Sequence, residues 1–130
     1  MKSLKLSLFS LLVVAFVACK KDDDSTPTCT QADWVGTYEG TIDCDGTTED
    51  ATVTITASGT DAVVIEYETP TSTTTYDPIT PTNCSISESG TDSGITIKVD
   101  ATLDDDKLTL KETLTGGGFS SVCDLTATRK

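Results

Sequence analysis

A chain of 130 residues with 21 acids, 9 bases and no histidine carries a formal charge of −12 at pH 7. That balance excludes a nucleic-acid or anionic-headgroup binder, because both need clustered Lys or Arg. The lack of histidine removes Ser-His-Asp and Cys-His nucleophiles and any His-containing metal site.

Met1 to Lys5 carries two lysines and no acid, and Leu6 to Val17 is apolar apart from Ser7 and Ser10. This is the length of a signal-peptide core, about 7–15 residues. It falls short of the ~20 apolar residues that span a membrane. A small residue, Ala18, precedes Cys19, and charge follows at once. The run Phe16-Val17-Ala18-Cys19 resembles the lipobox of bacterial lipoproteins, with Phe16 where that family usually has leucine. The resemblance implies a signal peptide over 1–18, lipidation of Cys19 through its thiol, and an acylated polar tether over 19–28. Two or more acyl chains then hold a protein to a bilayer where one would let go.

Lys20-Lys21-Asp22-Asp23 resembles the export signal of Bacteroidota lipoproteins, a basic residue before two acids, here Lys21, Asp22 and Asp23. It implies an outer-membrane, lipid-anchored protein displayed at the cell surface. Asp24-Ser25-Thr26 is similar to the O-glycosylation site of the same group, implying a sugar on Ser25. Loss of residues 1–18 removes two bases and no acid, taking the net charge from −12 to −14.

Residues 29–130 suffice for one domain and are too few for two. Their pattern is β nearly throughout, rich in Thr, Val and Ile with period-two alternation, and no stretch shows a helical period. Trp34, Gly36, Tyr38, Gly40, Ile42 and Cys44 fall on one face of a first strand, and Asp45-Gly46 supplies a tight turn that glycine's tolerance of positive φ makes cheap. Ala51, Val53, Ile55 and Ala57 alternate with threonines. After Ser58-Gly59-Thr60-Asp61, Val63, Ile65 and Tyr67 alternate again. Pro70 to Thr82 reads as a loop or ragged edge strand, since proline removes a ladder donor. Short strands follow around Cys84 and Ile86, around Ile95, Ile97, Val99 and Ala101, and around Leu108, Leu110 and Leu114. The last carries Phe119, Cys123, Leu125 and Ala127. Seven or eight such strands make an all-β, antiparallel up-and-down meander closed into a small barrel, with a β-sandwich as the alternative.

Besides Cys19 the cysteines number four, an even count in an exported chain, with no Cys-x-x-Cys pair. Two disulfides are expected. The Trp-x-Gly-x-Tyr-x-Gly opening (Trp34 to Gly40) and Cys-x-Leu-x-Ala-x-Arg ending (Cys123 to Arg129) resemble small lipocalin-like lipoproteins of Bacteroidota, over residues 29–130. In an up-and-down barrel the first and last strands pair antiparallel, which favours Cys44–Cys123 and leaves Cys29–Cys84. The other two connectivities stay open.

Paired carboxylates are the catalytic option left, as in glycoside hydrolysis. Glu66 and Glu68 sit two apart on a polar face, as on any solvated strand. Glu112 is in phase with Leu108, Leu110 and Leu114; there it needs a partner or a raised pKa, and a β-bulge turning it outward is the favoured expectation. Hard oxygen ligands for calcium occur at Asp104-Asp105-Asp106 and Asp43-x-Asp45-Gly46, without the full spacing of a calcium loop; hairpin aspartates have a structural reason to be there. Gly116-Gly117-Gly118 lacks the lysine and helix of a phosphate loop. No catalytic residue, metal or cofactor is therefore expected.

The expected function is a non-enzymatic binding or structural role at the membrane, with a lipocalin-type carrier of a small apolar ligand as the alternative. The inward candidates are mostly large side chains, which favours a filled core; a connected internal cavity above ~300 Å³ would favour the carrier. If a protein partner binds, the Pro70–Thr82 segment with Tyr76 at its centre is the expected contact.

Overall fold

A computed structural model describes residues 28–130. The signal peptide expected over 1–18, the lipidation expected at Cys19, the export signal expected at Lys21, Asp22 and Asp23, and the sugar expected on Ser25 all fall outside the described residues. A one-turn helix, α1 (Gln31–Trp34), precedes eight strands: β1 (Gly36–Cys44), β2 (Thr47–Ser58), β3 (Ala62–Glu68), β4 (Thr73–Ile79), β5 (Ser85–Asp92), β6 (Ile95–Asp104), β7 (Lys107–Gly116) and β8 (Phe119–Arg129). All pairings are antiparallel, and the spatial order is β4-β3-β2-β1-β8-β7-β6-β5. The meander thus closes through β1 and β8 and stays unpaired between β4 and β5. It is a nearly closed barrel, as the alternation implies.

Two-residue turns at Asp45-Gly46, Ser93-Gly94, Asp105-Asp106 and Gly117-Gly118 hold the hairpins in register. One continuous row shows how the apolar face meets itself: Ile42 lies opposite Leu125, Leu125 opposite Leu110, Leu110 opposite Ala101 and Ala101 opposite Ile86. All five are buried. Gly40 belongs to the β1–β8 contact for steric reasons, because a Cβ there would lie 2.0 Å from the Thr126 carbonyl oxygen.

The first strand is shorter than expected. Trp34 lies in α1 rather than on β1, with its side chain fully buried. The Asp33 carboxylate accepts from the Thr30 amide (2.6 Å) and hydroxyl (2.8 Å), which holds the turn. Those bonds keep the Asp33 carboxyl below the usual carboxylate range. The Trp34 indole N–H donates to Asn83 O at 3.2 Å, and the Tyr38 hydroxyl donates to Trp34 O at 2.9 Å. The Arg129 guanidinium lies 4.9 Å over the Tyr38 ring and donates to Val35 O. Helix and C-terminus together plug one end of the barrel.

At the opposite end two expected core residues point away from it. Ile95 is 39% and Phe119 54% exposed, because each starts a strand at a hairpin, beyond the packed interior. Leu103, by contrast, is buried, since β6 runs on to Asp104.

Both disulfides have the favoured pairing. Cys44 and Cys123 are direct neighbours across β1 and β8, with Cα atoms 4.1 Å apart. Cys29–Cys84, at 4.9 Å, ties the segment before α1 to the residue that precedes β5. With loops of 55 and 79 residues, each link constrains the unfolded chain by roughly 4 kcal/mol.

Candidate binding cleft at the barrel seam

The break between β4 and β5 follows from local features of β4. The β3–β4 register shifts between Val63 and Ile65, and Pro78 removes one N–H. Of the loop and the ragged edge strand expected over Pro70–Thr82, the structure has an irregular edge strand over Thr73–Ile79 with loop on either side. Facing it, β5 keeps unbroken register with β6 from Ser85 to Asp92. Neither edge has a strand partner across the gap.

A cleft of about 600 Å³ opens along this seam. Tyr76, Asp77 and Pro78 form one wall and Glu88 and Gly90 the other; Ile97 and Val99 form the floor. Val99 is 4% exposed, so the cleft reaches the barrel interior without being enclosed by it. Beneath the α1 end the core is filled: Trp34, Tyr38, Leu108, Leu110 and Leu125 are fully buried.

Tyr76 is half-buried, and its hydroxyl donates across the interior to Glu112 on β7 by a short hydrogen bond. Glu112 is 8% exposed and in regular register, opposite Val99 on one side and Cys123 on the other. The expected bulge is absent there. A donor from the opposite wall lets the carboxylate face inward instead. The Tyr67 ring lies 6.2 Å from that of Tyr76, centroid to centroid. Burial first, and then the Glu112 carboxylate, push the Tyr76 hydroxyl well above its ordinary pKa. Burial raises Tyr67 as well.

The other acidic candidates do not converge on Glu112. Glu66 and Glu68 sit on the outer face of β3, alternating with buried Ile65 and Tyr67, and Glu66 accepts from Thr75 at 3.1 Å. Asp43 accepts from the Gly46 amide (2.9 Å) and Thr48 hydroxyl (2.9 Å); Asp45 accepts from Ser121 (2.6 Å) and the Val122 amide (3.0 Å). These aspartates shape turns, and the Ser121 and Val122 bonds hold Asp45 below its usual range. Among the described residues no group of three or more Cys, Asp or Glu is placed to hold a metal ion.

Sequence reasoning passed over Asp77, Glu88 and Gly90. The prolines marked β4 as an edge, but nothing local to β5 marks it as the other one. No family model, curated protein or solved structure matches this chain. The role of the cleft therefore rests on its own chemistry.

Proposed function

We propose that this chain is an outer-membrane lipoprotein, anchored through acylated Cys19 and displayed at the cell surface, with a non-enzymatic binding role. The observation that carries the binding role is the open β4–β5 seam, a cleft of about 600 Å³ with an apolar floor on an otherwise packed, doubly disulfide-linked barrel. A stapled scaffold with a cleft that reaches its interior suits recognition. The address is supported by the residues around Cys19 alone.

Membrane fractionation of Cys19→Ser tests the anchor: the variant is expected to move to the soluble fraction, and its retention in membranes would refute acylation there. Biotinylation of lysines on intact cells tests display; a chain protected until lysis would place it on the inner leaflet.

A second reading, a lipocalin-type carrier of a small apolar ligand, draws on one specific observation. The cleft floor is Ile97 and Val99, and Val99 belongs to the buried core. Uptake of the neutral dye Nile red, lost on Gly90→Val, is the expected result for that reading.

A further inference from the structure

Resting on the seam as a binding site, we infer that it takes an extended basic peptide segment of a partner protein, which adds as a strand along the free edge of β5. The argument begins with the backbone. β5 spans eight residues without proline or register shift, and its edge facing the seam pairs with no strand among the described residues. Beyond Ser85, whose N–H and C=O are bonded to the Thr82 backbone, such an edge offers a row of unmatched N–H and C=O groups, a template for another strand. β4 offers a poorer template, because Pro78 and the shift at Val63/Ile65 interrupt it, so it acts as a wall.

The side chains define the occupant. An added strand presents alternate residues inward. Those residues would lie over Gly90, Ile97 and Val99; a Cβ at Gly90 meets nothing within 4 Å, so the space above it is open. The charged residues lining the cleft are Asp77 and Glu88, and no Lys or Arg lines it. Four of the five bases among the described residues are engaged elsewhere: Lys98 with Asp100, Lys111 with Asp124, Arg129 with Asp106, and Lys130 with Glu39. A second copy of this chain would bring its own Asp77, Glu88 and net charge of −12 against the same features, and like charges repel. A partner strand alternating apolar and basic residues satisfies edge, floor and rims together.

The test uses the purified full chain and a fluorescein-labelled Lys-Val-Lys-Val-Lys-Val-Lys peptide, read by fluorescence anisotropy. Two control peptides replace lysine by glutamate or carry N-methyl groups on alternate amides. The lysine peptide is expected to bind, and both controls to bind at least tenfold more weakly. Glu88→Gln and Asp77→Asn, at exposed positions, should each weaken it by about two- to fivefold at low salt. Gly90→Val, which suits a strand yet fills the open space beside the β5 wall, should abolish it. Equal binding of the N-methylated or the glutamate peptide would overturn the inference, as would a dimer by sedimentation that excludes the lysine peptide. Nile red separates two kinds of failure. If the dye binds and is displaced by Gly90→Val while the peptide never binds, strand addition is wrong and the seam remains a ligand site. If neither binds, the reading of the seam as a binding site falls too.

Discussion

The Tyr76–Glu112 hydrogen bond is the sharpest point at which to perturb this barrel. Glu112 is 8% exposed, and the Tyr76 hydroxyl reaches it from an edge strand whose only ladder is with β3. A hydrogen bond to a charged group contributes about 1.5–3 kcal/mol, and an orphaned buried polar group costs about as much. Tyr76→Phe removes the donor and leaves the carboxylate inside, so a loss of ~2 kcal/mol is expected. Glu112→Leu leaves the tyrosine hydroxyl half-buried, a loss of ~1–2 kcal/mol. The double variant removes both polar groups and places leucine in phase with Leu108, Leu110 and Leu114. It should fall within ~1 kcal/mol of the parent, a coupling of roughly 2 kcal/mol. Urea unfolding followed by fluorescence measures this directly, since the single tryptophan, Trp34, is fully buried when folded. On heating, the Tyr76→Phe loss corresponds to roughly 8–16 °C in Tm for a domain of this size. Additive single losses, with no recovery in the double variant, would refute the view that the two side chains depend on each other.

Two further outcomes follow from other contacts. Gly40→Ala places a methyl 2.0 Å from the Thr126 carbonyl oxygen, on backbone that cannot swing aside, so it should destabilise by at least ~2 kcal/mol in the same assay; an unchanged midpoint would mean that β1 and β8 are further apart. Asp45 has a folded pKa lowered by its Ser121 and Val122 hydrogen bonds. Its contribution is therefore present above the unfolded value of about 3.9 and is lost as pH falls through the lower folded value. Asp45→Asn should flatten the stability-versus-pH curve below about pH 4; identical acid limbs for variant and parent would refute the assignment.

Much of the barrel could be read from alternation, because a strand with one buried face must repeat every two residues. The row from Ile42 to Ile86 follows that rule, and the closure of β1 on β8 made Cys44 and Cys123 neighbours. The failures have physical reasons. A four-residue helix is too short to show a period, so Trp34 read as strand. Ile95 and Phe119 keep the alternation but lie beyond the end of the packed interior, a boundary that no local pattern marks. Glu112 read as a misfit because its donor is 36 residues away, on a strand that does not adjoin β7. The seam was half legible: proline exposed β4 as an edge, whereas β5 becomes one only because the barrel fails to close.

The Cys29–Cys84 link has a mechanical consequence. A pull arriving from the N-terminal side enters the domain at Cys29, and the covalent bond passes part of it to Cys84, beside the start of β5. Without that bond the whole force would peel α1 and Trp34 from the barrel end first. With a lipid at Cys19, ten residues upstream, the leash to this point extends at most ~35 Å. Under the proposed anchor, tension on that segment would be delivered to the strand that forms one lip of the seam, so a pull on the lipid and the proposed strand addition would act on the same strand.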